Sequence, residues 1–289
     1  MTPSVDLERP LNAMTVDVED YFQVQAFSQC IRREDWDNLP CHVEANTRRI
    51  LEMFARCDVR ATFFTLGWIG KRYPSLVRAI VAGGHELASH GYGHQLVGDL
   101  SPDEFRADLS RAKQILEDAG GVPVQGYRAP TFSIGARTPW AFDILQQTGH
   151  RYSSSIYPIR HDLYGSPEAT RVPHHPAGTS LLEIPMTTLR LGRRNLPLAG
   201  GGYFRLLPYS VYRAALNRFR VRERRSSVFY FHPWEIDTRQ PKVAGATRRA
   251  KFRHYVNIAA MPGRLERLLR DFRWGRMDQV FASELASTP

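Results

Sequence analysis

The segment HELASHGYGHQL (residues 85–96) contains a short β-rich run that ends at His90. Three other predicted strands also end directly before an ionisable side chain: Asp17 follows AMTV, Arg128 follows VQGY and His232 follows VFYF. Helical patterns separate the strands, so we expect parallel strands joined by crossover connections. The carboxyl ends of such strands meet at one face of an α/β barrel, where catalytic side chains are found. The sequence therefore predicts a barrel with these four side chains at one rim.

The helices predicted between the strands have clear end signals. The best marked begins at Ser101, a suitable N-cap, has Glu104 in place for a capping box and stops at Gly120-Gly121. A doubly wound dinucleotide-binding sheet is the alternative, but no glycine fingerprint opens a helix directly after a strand. Residues 155–207 have the least regular pattern and predict long loops.

The composition limits the class of protein. The chain has 289 residues, 43% of them hydrophobic, which is enough for one large α/β domain or two small ones. No apolar run reaches the length of a membrane span, and residues 1–14 lack the basic start and apolar stretch of a signal peptide. We therefore predict a cytoplasmic protein, with a position near the inner membrane as an option. Three cysteines without Cys-x-x-Cys spacing indicate neither a disulfide framework nor a thiolate zinc site.

The formal net charge of +10 is concentrated in the C-terminal part. Residues 171–289 contain 22 Lys and Arg against 8 Asp and Glu, whereas residues 1–170 contain 17 against 21. The clusters RFRVRERR (218–225) and TRRAKFRH (247–254) could attract an anionic polymer, an anionic membrane or nucleic acid. A solvated, arginine-rich surface is the simpler interpretation. No nucleic-acid-binding motif accompanies the charge, so we predict no nucleic-acid partner.

The three histidines of the opening segment raise the question of a metal site. HELASH differs from the zinc-protease motif because His85 and His90 are five residues apart, which places them on different faces of a helix. His90 and His94 are four apart, but Gly91 and Gly93 favour a tight loop instead of a helix. Such a loop can still bring two imidazoles to one ion. Two ordinary polar loop residues are the alternative.

A carboxylate is available as a third ligand. TVDVEDYF places Asp17, Glu19 and Asp20 at the end of the first strand, where three negative charges are unfavourable unless a cation or an arginine offsets them. An acidic strand end exposed to water is the other interpretation. Two histidines and one carboxylate with open positions form the ligand set of a catalytic zinc or of a non-haem iron. The residues fit both metals.

In chain order, TVDVED, SHGYGH, GYRAP, YSSSIYP and FYFHP resemble successive motifs of the polysaccharide deacetylases, the NodB-homology or carbohydrate esterase family 4 enzymes. Through VDVEDYFQVQAF, GGGYFRLLPY and FYFHPWEID, the chain resembles more closely the deacetylases associated with the exosortase (PEP-CTERM) exopolysaccharide system. The resemblance implies a distorted (β/α) barrel of the NodB-homology type in a single domain. Residues 12–240 would form the deacetylase domain, and residues 241–289 a helical, basic C-terminal extension packed on it.

The resemblance also implies an activity. The protein would be a hydrolase that removes N-acetyl groups from amino sugars of a polysaccharide, in exopolysaccharide biosynthesis, with one divalent metal ion. Zinc is the expected metal, and cobalt, nickel and iron are alternatives. Its partner would be an N-acetylated polysaccharide or oligosaccharide, and a peripheral contact with an anionic membrane or polymer through the basic C-terminal region stays open.

Residue by residue, Asp17 matches the general base of the family, and His90 and His94 match the metal-binding histidines. The family motif has adjacent aspartates, but Val18 takes the second place, so the third ligand is Glu19 or Asp20. Alternation along a strand favours Glu19.

The later motifs supply the remaining candidates. Arg128 matches the arginine that orients the base, Thr131 the residue whose backbone N–H binds the oxyanion, and His232 the general acid. Ser153 departs from the aspartate of relatives, and the loss of a nearby carboxylate could weaken the site. Aromatic side chains form candidate walls for sugar rings. These are Trp234, Tyr203, Phe132 and Tyr230.

Three other functions stay open at this stage. Ser153 and the unusual first motif would fit a non-catalytic carbohydrate-binding relative. An amidase that acts on a small cyclic amide would use the same chemistry. A protein that mainly docks on an anionic polymer or membrane would use its basic C-terminal region.

Overall fold

The computed structural model of the protein describes residues 10–287. Its strands are β1 (Asn12–Val18), β2 (Thr62–Thr65), β3 (Glu86–Ser89), β4 (Gly126–Tyr127), β5 (Tyr152–Ser153), β6 (Leu182–Glu183), β7 (Thr188–Leu191), β8 (Arg194–Pro197), β9 (Val228–Phe231) and β10 (Trp274–Gly275). Its α-helices are α1 (Val43–Arg56), α2 (Gly67–Arg72), α3 (Pro74–Ala82), α4 (Pro102–Gly120), α5 (Trp140–Gln147), α6 (Gly201–Leu206), α7 (Tyr209–Glu223), α8 (Arg248–Tyr255), α9 (Met261–Asp271), α10 (Met277–Val280) and α11 (Ala282–Ala286).

Eight of these strands form one curled parallel sheet in the order β10-β1-β2-β3-β4-β5-β6, and β9 also pairs with β1. The prediction of a distorted (β/α) barrel is confirmed. All seven residues of β1 are buried, because the strand pairs with β2, β9 and β10. Parallel strands covered by helices are expected to be buried in this way. The carboxyl ends of β1, β3, β4 and β9 lie on the same side of the sheet.

The predicted helix ends agree with the structure where the local chemistry is strong. Ser101 Oγ accepts from the backbone N–H of Glu104, and the Glu104 carboxylate accepts from the backbone N–H of Ser101, which completes the capping box. Gly121 ends α4 in the left-handed conformation, with φ of 67°.

The interpretation of residues 155–207 as long loops is wrong in part. The range contains the antiparallel hairpin of β7 and β8, which pairs outside the main sheet, and the short helix α6. The hairpin was missed because two of the four residues of each strand are exposed, and β8 has no fully buried residue. The two strands therefore lack a clear alternation of buried and exposed side chains.

The C-terminal segment contributes directly to the main sheet. Trp274 and Gly275 pair with β1, and the Met277 backbone N–H donates to Thr62 Oγ1 at 2.8 Å. Leucines of α9 belong to the largest core cluster. The boundary at residue 240 between a deacetylase domain and a C-terminal extension stays a prediction.

The first nine residues, on which the signal-peptide interpretation depends, lie outside the described range. Within residues 10–287, every helix is too short or too polar to span a lipid bilayer.

Candidate metal and catalytic site

The strand ends surround one cleft of about 490 Å³. Asp17 and Glu19 reach it from β1, the two histidines from the loop after β3, and His232 from the end of β9. Thr131 and the four predicted aromatic wall residues also line it. Arg128 is fully buried beneath. The structure therefore brings all the predicted site residues together, except Asp20, which lies outside the cleft lining.

Glu19, His90 and His94 form a compact group of potential metal ligands. One ligand atom from each lies within 4.8 Å of the others, and all three residues are buried. His94 Nε2 approaches Glu19 Oε2 to 2.7 Å, yet this buried oxygen has no correctly aligned hydrogen-bond donor among residues 10–287. A buried carboxylate oxygen without a hydrogen-bond donor is unfavourable. The donor set fits a divalent cation, which would satisfy this oxygen.

His90 is prepared to act as a neutral ligand. Its Nδ1 lies 2.7 Å from the Arg128 carbonyl oxygen, to which it donates, and this leaves the Nε2 lone pair free for a metal. Burial is the largest influence on the ring and lowers the pKa of His90 to about 4.

The turn after His90 places His94 beside it. Gly91 has a φ of 75° and His94 a φ of 53°, both in the left-handed region. A Cβ on Gly91 would meet Asp108 Oδ2 at 2.8 Å, so this position requires glycine.

Asp20 has a structural role and lies outside the group of potential metal ligands. Its carboxylate accepts from the backbone N–H groups of Tyr21, His42 and Val43 at 2.7, 2.5 and 2.8 Å. Two of these donors lie at the start of α1, so Asp20 holds that helix end against β1.

Glu19 has a strongly lowered pKa. Burial would raise the pKa of Glu19, but His94 and His232 outweigh it and lower this pKa to about 2. Glu19 is therefore a carboxylate at neutral pH.

Asp17 is held by Arg128, as the resemblance implies for a base and its orienting arginine. Arg128 Nη1 donates to Asp17 Oδ1 at 2.6 Å and to Thr15 Oγ1 at 2.8 Å. On the other side, Arg128 Nε donates to the carbonyl oxygen of Ser154 at 3.2 Å, and Nη2 donates to Ser154 Oγ. The guanidinium also stacks on the Phe64 ring at 4.0 Å. These contacts fix the position of the carboxylate.

His232 faces Glu19 on one side and Glu235 on the other. Its Nε2 lies 3.4 Å from Glu19 Oε1, and its Nδ1 lies 2.9 Å from Glu235 Oε1. Burial would lower the pKa of His232, but the charges of Glu19 and Glu235 outweigh it and raise this pKa to about 9. The imidazole therefore carries a proton toward the cleft, which suits a general acid.

Sequence reasoning missed the ion pair that holds His232. Neither Glu235 nor Arg205 is among the predicted site residues. Arg205 Nε donates to Glu235 Oε2 at 2.7 Å, and both side chains are 1% exposed. Arg205 Nη1 also donates to the backbone oxygens of His254 and Val256. The spacing His-x-x-Glu, which also forms a capping box, was the signal for Glu235.

The departure at Ser153 has a structural counterpart on the next strand. Ser153 pairs in register with Glu183 of β6. The Glu183 carboxylate accepts from the backbone N–H groups of Ser155 and Ile156 at 3.0 and 2.8 Å. Burial raises the pKa of Glu183 to about 7, partly offset by the Ser153 side chain and by these two backbone donors. A carboxyl group therefore stands beside the Arg128 network although residue 153 is serine.

The aromatic residues of the cleft also contact one another. The Trp234 ring stacks on His232 and on His254, with centroid distances of 5.1 and 4.0 Å, and its Nε1 donates to Glu19 Oε1 at 3.4 Å. Phe132 and Tyr230 meet edge to face at 5.0 Å. Thr131 has a φ of 55°, in the left-handed region. Their roles toward a sugar or an oxyanion stay predictions.

Comparison with known families divides the chain into two matched parts. Residues 35–153 match the family model described as "Polysaccharide deacetylase", and residues 154–282 match a domain of unknown function, DUF3473. The comparisons support the polysaccharide deacetylase family. The part that matches the deacetylase model contains His90, His94 and Arg128, whereas the part that matches DUF3473 contains His232. Asp17 and Glu19 precede both matched parts.

Two curated relatives that match part of the chain are named as deacetylases. A Bacillus cereus peptidoglycan-N-acetylglucosamine deacetylase is 31% identical over 84 residues, which cover 29% of this chain and 30% of that protein. A Sinorhizobium fredii chitooligosaccharide deacetylase is 42% identical over 115 residues, which cover 38% of this chain and 49% of that protein. The chain thus spans less than half the length of these curated relatives.

A solved structure shows the same fold over nearly the whole chain. A Mycobacterium smegmatis protein described as a polysaccharide deacetylase superposes with a TM-score of 0.64 at 21% identity, covering 97% of this chain and 93% of that one. The shared barrel fold therefore extends through the part that matches DUF3473.

Proposed function

We propose that the protein is a metal-dependent hydrolase that removes N-acetyl groups from the amino sugars of a polysaccharide, in exopolysaccharide biosynthesis of the exosortase-associated type. The observation that carries the proposal is the convergence of three potential ligand side chains, an arginine-held carboxylate and a histidine that contacts two carboxylates in one cleft. Relatives named as deacetylases of peptidoglycan and chitooligosaccharide support the class of substrate.

Glu19, His90 and His94 would hold one divalent ion, with zinc expected and cobalt, nickel or iron as alternatives. When bound, the ion would supply Lewis acidity to the attacking water and to the acetyl oxygen. The neutral imidazole of His90 and the carboxylate of Glu19 are the protonation states that such an ion requires.

The proton transfers would be made by residues of the chain. Asp17, oriented by Arg128, would take the proton of the attacking water. The Thr131 backbone N–H would donate to the oxyanion. His232 would then protonate the leaving nitrogen as the C–N bond breaks, which gives acetate and a free amino sugar. Glu235 and Arg205 would keep His232 in the required orientation.

Metal content and acetate release together test the proposal. The purified chain should hold one divalent ion, and it should release acetate from N-acetylglucosamine oligomers in a reaction that a chelator stops and zinc restores. His90→Ala should lose both the metal and the activity, whereas Asp17→Asn should keep the metal and lose the activity. His175→Ala, a histidine away from the cleft, is the matched control. Failure of the metal-replete wild type to hold a stoichiometric ion would contradict the proposal.

Two alternatives would give different results in the same assays. A non-catalytic carbohydrate-binding relative would bind the oligomers without releasing acetate. An amidase for small cyclic amides would lose activity with the chelator but would leave the oligomers intact. The Ser153 departure motivated the first alternative, but the nearby Glu183 carboxyl group weakens its basis.

A further inference from the structure

The mouth of the cleft carries apolar side chains that are exposed to solvent. Leu163, Leu206 and Phe252 line the cleft and are 45%, 48% and 59% exposed. Sugar rings bind to aromatic faces and polar groups, so two exposed leucines are not explained by a saccharide alone. Apolar side chains that cluster at one exposed place indicate an interaction site.

Positive charge surrounds this apolar group. Residues 239–255, which include α8, contain six Lys and Arg and no Asp or Glu. Phe252 lies on α8 together with the exposed Arg248 and the half-buried Lys251. A helix with basic side chains and an exposed aromatic residue has the composition of segments that lie in the headgroup region of a membrane.

The parts of the cleft mouth are held together before any partner binds. Asp162, next to Leu163, pairs with Arg253 at 2.8 Å and with Arg249 at 3.2 Å, and so connects its loop to α8. Beneath α8, the buried Arg205 donates to backbone oxygens at the end of the helix. A surface that is already ordered loses little conformational entropy when it binds.

We propose that the cleft mouth, defined by Leu163, Leu206, Phe252 and the basic side chains of α8, docks on an anionic lipid bilayer. The apolar side chains would enter the headgroup boundary, the cations would lie among the lipid phosphates, and the cleft would open toward the membrane. The inference rests on the proposed function only for what happens inside the cleft. A second copy of the chain is a poor occupant, because its mouth carries the same positive charge and the net charge is +10.

Vesicle flotation of the full, metal-loaded chain tests the docking. The protein should float with vesicles of phosphatidylcholine and phosphatidylglycerol, and should stay behind with phosphatidylcholine alone. Phe252→Ser should weaken the partition about tenfold, because it removes an inserted ring. Arg248→Gln with Lys251→Gln should weaken it about 25-fold, since each basic residue at an anionic surface contributes about a factor of five.

Helix α7 offers a matched control, because Val221 is 68% exposed among arginines outside the cleft. Val221→Ser and the pair Arg218→Gln with Arg222→Gln should leave flotation unchanged. Equal losses in the α7 and α8 variants would overturn the proposal and indicate unspecific attraction. Absence of flotation with anionic vesicles would also overturn it and would leave an acidic protein as the partner. His90→Ala should float like the wild type, so failure of docking and failure of catalysis can be distinguished.

Discussion

Replacing Arg128 with methionine should destabilise the folded protein strongly. The guanidinium is fully buried, and its Nη1 lies 2.6 Å from Asp17, whose side chain is only 3% exposed. Methionine fills most of the volume but leaves the Asp17 charge buried without its partner. Breaking a buried ion pair on one side costs about 3 to 5 kcal/mol of unfolding free energy. For a chain of this length, with an unfolding entropy of about 0.6 kcal/mol/K, the loss corresponds to a decrease in Tm of roughly 5 to 8 °C.

The double variant Asp17→Asn with Arg128→Met separates charge from packing. It removes both charges, so we expect it to recover at least half of the lost stability while it stays inactive. Urea unfolding followed by circular dichroism, with a chelator present so that metal binding does not contribute, measures both variants. If the double variant is no more stable than Arg128→Met alone, the loss comes from packing, and the reasoning about the buried charge is wrong.

Three further variants test separate parts of the structure. Glu235→Gln should lower kcat by about 10- to 100-fold with little change in KM. The amide can keep its hydrogen bond to Arg205 but orients His232 less well than the carboxylate does. An unchanged kcat would remove Glu235 from the mechanism. Because burial raises the pKa of Glu183 from 4.5 to about 7, the folded state holds this proton more tightly than the unfolded chain does. Stability should therefore fall by up to about 3 kcal/mol as the pH rises from 4.5 through 7, and Glu183→Gln should flatten the dependence in urea midpoints measured at both ends of this range. Gly126→Ala places a Cβ against the Tyr152 ring, so it should lower the free energy of unfolding by about 1 to 3 kcal/mol, measured by thermal unfolding. An unchanged Tm would mean that the ring moves away freely.

The parts of the fold that local chemistry determines could be predicted from the sequence. The capping box of Ser101 and Glu104 and the polar residues at strand ends depend on short-range patterns, and the structure contains both. Half of the residues of β7 and β8 are exposed, and His254 is the one buried residue of α8. Neither the hairpin nor α8 has the apolar periodicity on which a sequence-based prediction depends.

The candidate site could also be predicted only where short-range sequence patterns determine it. Strand alternation favours Glu19 over Asp20 as the third ligand, and this assignment stays a prediction. In the structure the Asp20 carboxylate accepts hydrogen bonds from the start of α1. The partners of His232 could not be inferred in full. Arg205 lies 30 residues before Glu235, and only the tertiary fold brings the two side chains together.

The central position of β1 has a consequence for synthesis on the ribosome. Thr15 is bonded to Phe229, 214 residues later in the chain, so one edge of this strand has no partner until β9 has been translated. At ordinary elongation rates the delay is roughly 10 to 40 s. During that time the nascent protein presents an apolar strand edge to its surroundings, which is the kind of segment that chaperones protect from aggregation. The strand that carries Asp17 and leads directly into Glu19 is therefore exposed to misassembly during translation.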